Sequence, residues 1–161
     1  MLGVFNIGFS KRAGTGRVGL QVGGLYGEGS GMTETKVLAD QDRVIVEQFV
    51  HTFLAKDWDS LRDLMGERVR LRGLLPSMVQ EAIGPDRAIH FMGLWLEPDD
   101  HIEEIESLEV VPIQSRHRAT YRFKVRAGDT RYVCEQSAFV TVEEGKVSRF
   151  DMLCSGFLPI S

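Results

Sequence analysis

Apolar residues recur with a helical period in the first third of the chain. Ile45, Val46, Phe49, Val50, Phe53 and Leu54 fall on one side of a helical wheel, and Glu47, Gln48 and His51 lie off it. The pattern predicts a long amphipathic helix, with structure starting near Val37. Asp57-Trp58-Asp59-Ser60 interrupts it, and Asp59 or Ser60 can cap a short second helix through Leu61, Leu64 and Met65. Val69-Arg70-Leu71-Arg72-Gly73 alternates as a strand, with Val69, Leu71 and Gly73 on one face. Gly84-Pro85-Asp86 stops the chain and opens a third helix, Arg87 to Leu96, with proline at an early position. From Ile102 onward the pattern reads only as strands.

The last three strands can be placed in register. Gly128-Asp129 signals a two-residue hairpin turn. It sets Phe123 opposite Cys134, Tyr121 opposite Gln136, Ala119 opposite Ala138 and His117 opposite Val140. Glu143-Glu144-Gly145 fits a three-residue loop, which sets Cys154 opposite Cys134, Met152 opposite Gln136, Phe150 opposite Ala138 and Ser148 opposite Val140. The other face then pairs Arg122 with Glu135 and lines up Thr120, Ser137 and Asp151, a favourable cross-strand arrangement. The apolar face has only the three helices to pack on, so the fold class is α+β: N-terminal helices on an antiparallel sheet, whose strong curvature is what the family resemblance given below implies.

Residues 1–36 differ from this. Glycine recurs at 3, 8, 14, 16, 19, 23, 24, 27, 29 and 31. Glycine carries the largest ordering entropy and nothing to bury, so a flexible leader is expected before a domain at 37–161. The leader fits neither a signal peptide nor an amphipathic transit peptide. A start at Met32, with the leader outside the natural chain, is the favoured reading over a functional leader.

Composition narrows the class. The chain has 161 residues, 43% hydrophobic and 26% charged, which suits one soluble domain. A net charge of −4 gives no support for nucleic-acid binding, and no apolar run approaches a membrane span. Two cysteines, Cys134 and Cys154, are too few for a secreted disulfide scaffold, so a reducing, cytoplasmic setting with two buried thiols is expected. The acidic run Glu97, Asp99, Asp100, Glu103, Glu104, Glu106 and Glu109 lacks calcium-loop spacing and reads as a solvated face; no metal is expected.

Phe53 to Leu61 (FLAKDWDSL), Gly84 to Met92 (GPDRAIHFM) and Glu143 to Phe150 (EEGKVSRF) resemble the first inter-helix turn, third-helix opening and last hairpin of the SnoaL-like, nuclear transport factor 2-like superfamily. The resemblance implies a cone-shaped α+β barrel over Val37 to the end. It implies a pocket lined by Phe49, Phe53, Gly73, Ile89, Trp95, Tyr121, Phe123, Gln136, Met152 and Cys154. It also implies a homodimer built on the outer sheet face around Arg118, Phe139 and Arg149.

Two chemistries of that superfamily lack their residues. Where ketosteroid isomerases carry a base, a Tyr and an Asp, this chain aligns Gly73, Phe49 and Ala138. Where limonene-epoxide hydrolases carry Asp, Arg and Asp, it aligns Phe123, Tyr121 and Met152. Cofactor-free acid/base chemistry of the polyketide-cyclase type, on a small hydrophobic molecule, stays open. Its candidate groups are Tyr121 and His117, with Gln136 holding a substrate oxygen and His90 a weaker candidate. Each has a plainer reading: Tyr121 and Gln136 as a buried bonded pair, His117 as an ordinary surface or half-buried histidine near the rim, His90 as structural or exposed, and His51 as solvated. A non-catalytic ligand-binding or interaction module is the alternative from a different class.

Overall fold

The structure is a computed structural model that describes residues 31–160, with side chains from residue 38. The expected leader falls on residues 1–30, outside the described residues, and on the first turns of the first helix. Helices α1 (Gly31–Leu54), α2 (Trp58–Asp63) and α3 (Pro85–Trp95) precede most of the sheet. The strands are β1 (Met65–Leu75), β2 (Met78–Ile83), β3 (His101–Ile113), β4 (Arg116–Ala127), β5 (Thr130–Glu143), β6 (Lys146–Cys154) and β7 (Leu158–Ile160).

The apolar stripe of α1 delivers Val46, Phe49, Val50, Phe53 and Leu54 to the core, each almost fully buried. Burying a side chain of this size stabilises by roughly 1.5–3 kcal/mol. The cap of α2 is Asp57, not Asp59 or Ser60: its carboxylate accepts the Ser60 N–H at 3.2 Å. Met65, expected on α2, is the first residue of β1. On α3, Ala88, Met92 and Trp95 are buried, followed by Leu96 just past its end.

The sheet order is β2–β1–β6–β5–β4–β3, open at both edges, with β7 pairing β5. It is mixed rather than wholly antiparallel, because β1 and β6 run parallel. That pairing joins segments far apart in the chain, and no local pattern announces it. Strand β2 was also silent in the sequence. Of its residues only Ala82 is buried, so it shows little apolar alternation.

The β4–β5 register is the one expected, Phe123 opposite Cys134 through His117 opposite Val140. The β5–β6 register is corrected by two residues: Cys154 lies opposite Gln136, Met152 opposite Ala138 and Phe150 opposite Val140. The cause is the turn. Glu143 pairs with Lys146 around a two-residue loop, Glu144-Gly145, whose φ values are +51° and +74°. Both central residues being left-handed is the hallmark of a tight hairpin turn. Ser148 is then an extra residue between Val147, opposite Val142, and Arg149, opposite Thr141. This bulge restores the parity that the shorter loop would have lost, so every inward residue stays inward. On the outer face Arg122 reaches Glu135 at 3.7 Å and Thr120 pairs with Ser137, but Asp151 lies opposite Phe139.

Candidate functional site

The inner face of β4, β5 and β6 brings four polar side chains into one line. Tyr121 and Gln136 are directly opposite across the β4–β5 ladder, and the Tyr121 hydroxyl donates to Gln136 Oε1 at 2.6 Å. The Gln136 amide then donates from Nε2 to Cys154 Sγ at 3.4 Å. Cys134 Sγ lies 3.5 Å from Cys154 Sγ, and both thiols are free. Tyr121 and Cys134 are 0% exposed, Gln136 is 2% and Cys154 is 7%. Every polar group in the line has a partner, as buried polar groups require. Burial pushes the Tyr121 phenol well above its ordinary range, and the two neighbouring cysteines add to this. Tyr121 is therefore a neutral hydrogen-bond donor.

The flanks of this line are filled. Phe49 packs tilted against Phe150 with centroids 5.2 Å apart, and Phe53 meets Trp95 edge-on at 6.3 Å. Trp95 lies over Gly73: a Cβ on Gly73 would fall 2.7 Å from Trp95 Cζ2. The Trp95 indole N–H donates to Gln80 on β2. So the strand position that the resemblance matched to a base is a glycine whose side-chain space holds an indole.

Of the expected lining residues, Phe49, Phe53, Trp95, Phe123, Gln136, Met152 and Cys154 are buried core, and Ile89 is partly buried against it. His117 belongs elsewhere. It is 5% exposed and its Nε2 lies 3.3 Å from the Ala39 carbonyl on α1. It stands four residues from Tyr121 on one strand, about 13 Å along it. The two groups proposed to share proton transfer are thus not brought together. His51 and His90 are exposed.

Among the described residues, three cavities bordering the sheet stand out, and of the expected lining only Gln136, Met152 and Cys154 take part in them. One of about 520 Å³ is bounded by Gln136, Cys154, Ser155, Leu158 and Arg122, among others. A second, about 390 Å³, lies on the outer face over Leu74, Val79, Phe139 and Leu153. A third, about 290 Å³, is ringed by Arg70, Arg72, Arg87 and Arg149 with Glu81 and Asp151. Sequence pattern alone missed these cavities, because most of their lining comes from outward residues that read as solvated.

Four of the seven residues of the acidic run are taken up in ion pairs: Glu103 with Arg131 at 2.6 Å, Glu104 with Lys124 at 2.8 Å, Glu106 with Arg122 at 2.7 Å and Glu109 with Arg118 at 3.8 Å. Among the described residues no three His, Cys, Asp or Glu side chains converge as a metal site. No helix among them is long and apolar enough to cross a membrane.

No family model and no curated protein matches the sequence. Solved structures do. A nuclear transport factor 2-like protein from Burkholderia xenovorans is 15% identical with a TM-score of 0.56, covering 73% of this chain and 91% of its own. A protein provisionally described as a polyketide cyclase, from Xanthomonas campestris, is 17% identical with a TM-score of 0.58, covering 71% and 90%. An LEH-like epoxide hydrolase from M. tuberculosis is 12% identical with a TM-score of 0.57, covering 73% and 84%. At these identities the likeness establishes the fold: this chain has the nuclear transport factor 2-like, SnoaL-like architecture.

Proposed function

We propose that this protein is a non-catalytic module of its fold, a cytoplasmic homodimer that binds a partner or a small hydrophobic molecule without a cofactor. One observation carries this reading: the inner-face groups that would do chemistry are used up on each other. Tyr121 and Phe123 are 0% exposed and line none of the three cavities, and Gln136, at the edge of one of them, is 2% exposed. The Tyr121 proton is committed to Gln136. No carboxylate enters the row to serve as a general base.

The outer face supports the dimer. Phe139 is 40% exposed and Leu153 55%, and both border the cavity that Arg149 also lines. Two free thiols in contact support a reducing compartment.

A second reading is favoured by the Tyr121–Gln136 bond itself. A neutral donor in apolar surroundings can hold a developing oxyanion, and similar folds include a protein provisionally described as a polyketide cyclase. In this reading the chain is a cofactor-free isomerase or cyclase.

Native mass spectrometry of the protein from its own host, followed by a ligand screen with wild type and Tyr121→Phe, tests both. A dimer whose retained ligand leaves chemically unchanged is the expected result. Turnover of that ligand, falling roughly 10²–10⁴-fold in Tyr121→Phe, establishes the enzyme instead. A monomer at micromolar concentration removes the dimer.

A further inference from the structure

The two cysteines have a geometry that neither the fold nor the proposed module needs. Strand β6 leaves β5 after Cys154, and residues 155–157 belong to no regular element before β7 takes up the pairing. Across this break, Ser155 pairs with Glu135 in both directions. Its N–H donates to the Glu135 carbonyl and its Oγ accepts the Glu135 N–H, each at 2.9 Å. The break lets Cys154, whose ladder partner is Gln136, bring its sulfur to Cys134 two residues away.

Cys154 Sγ then accepts from several directions. The Gly156 N–H points at it from 3.3 Å and Gln136 Nε2 from 3.4 Å, with the Cys134 thiol at 3.5 Å. The Gly156 donor is built into the backbone. Its φ is +82°, and a Cβ there would lie 2.9 Å from Pro76 Cγ, so only glycine fits. A neutral thiol is a weak acceptor and gains little from such a ring, whereas a thiolate gains a great deal. The Cys134 hydrogen bond first, then Gly156 and Gln136, pull Cys154 down to about 6 against the opposing effect of burial. Either sulfur could donate to the other; because Gly156 and Gln136 already donate to Cys154, we assign Cys134 as the donor, and that bond together with burial pushes its thiol up. Cys154 also borders the cavity of about 520 Å³, which gives a small reagent a way in.

We infer that Cys154 and Cys134 form a hydroperoxide-reactive dithiol, with Cys154 as the attacking sulfur and Cys134 as the resolving one. The Cys154 thiolate attacks the terminal oxygen of a hydroperoxide. An S–O bond forms, the O–O bond breaks, and the alkoxide leaves as an alcohol after taking a proton. The Cys154 sulfenic acid is then attacked by the Cys134 sulfur. The S–S bond forms, the S–O bond breaks, and hydroxide leaves with the Cys134 proton as water. Two electrons from the thiols reduce one hydroperoxide to an alcohol and water. The irregular 155–157 segment supplies the movement that closes 3.5 Å to a bond of about 2.05 Å.

The test uses the full-length protein and hydrogen peroxide at low molar excess. The expected product is lighter by about 2 Da, carries a Cys134–Cys154 cross-link in peptide maps and reverts with dithiothreitol. Cys134→Ser should instead accumulate a sulfenic acid on Cys154, captured by dimedone. Cys154→Ser should leave Cys134 reduced. Where a serine variant fails to fold, iodoacetamide labelling of native wild type decides. Cys154 should label faster than Cys134 by about 10-fold or more at pH 7. Two thiols that stay reduced under peroxide, or a Cys134 that labels first, would overturn the assignment.

Discussion

The two faces of this sheet are made by the same strands, and they hold their polar groups by opposite means. Inward, Tyr121, Gln136, Cys154 and Cys134 satisfy one another in a line that contains no carboxylate and no basic side chain. Outward, Arg122, Lys124, Arg131 and their Glu partners are full charges in water. An exposed pair is worth at most about 1 kcal/mol, because water serves either partner alone. A buried neutral bond has no such substitute, and breaking it strands a group at a cost of about 1–3 kcal/mol. The inner face is thus rigid and specific, and the outer face is free to be used for assembly.

The sharpest break of that contrast is at Gly73. Gly73→Val would drive two methyl groups into the space of Trp95, whose Cζ2 would already lie 2.7 Å from a bare Cβ. Overpacking of this kind should cost about 3 kcal/mol in urea unfolding, with a shift in tryptophan fluorescence. An unchanged midpoint would mean that Trp95 swings freely and the inner face is not packed. Tyr121→Phe comes next. It leaves Gln136 Oε1 without its donor, and a loss of about 1–2 kcal/mol is expected by the same measurement.

Smaller still is Asp151→Asn. Burial alone would raise the Asp151 carboxyl, but hydrogen bonds from Arg149 and Arg116, each 2.7 Å, outweigh it and hold the group below its ordinary value. The folded value lies below the unfolded one, so the stabilisation is complete above about pH 4 and fades as pH falls through the folded value. The variant should lose up to about 1 kcal/mol at pH 7 and converge on wild type in acid. Equal stability at pH 7 would make this pair decorative. On the proposed homodimer, Phe139→Asp should change monomer stability by no more than about 0.5 kcal/mol, yet turn a dimer seen for wild type in light scattering into a monomer. A dimer that survives it would move the interface off this face.

Legibility followed the range of each interaction. Helix α1 was readable because six apolar residues repeat on one side, and the β4–β5 register because Gly128-Asp129 allows one tight turn. The β5–β6 hairpin misled by two residues, because Gly145 fits a loop of two or three and the Ser148 bulge leaves no mark in a list of residue types. The inward set survived the error, since a shift of two keeps every side chain on its face. The candidate site was legible as a set of residues but not as an arrangement. Tyr121 opposite Gln136 followed from the turn, whereas Trp95 over Gly73 links a helix to a strand and has no local signature. The distance of His117 from Tyr121 followed from their spacing on one strand, whereas its partner, the Ala39 carbonyl, is supplied by α1.

The parallel β1–β6 pair has a kinetic side. Strands β3 to β6 follow one another through short turns, so each can zip onto its predecessor with little loop to close. Strand β1 must instead find β6 across most of the domain, with Arg70 beside Arg149 and Leu74 beside Leu153. Closing long loops is slow, so the four-stranded meander should be the early scaffold and the α1–α2–β1 segment the late arrival. Pulse-labelled hydrogen exchange should therefore protect the β4 and β5 amides before those of β1, giving a sheet that grows from its C-terminal half towards its N-terminal one.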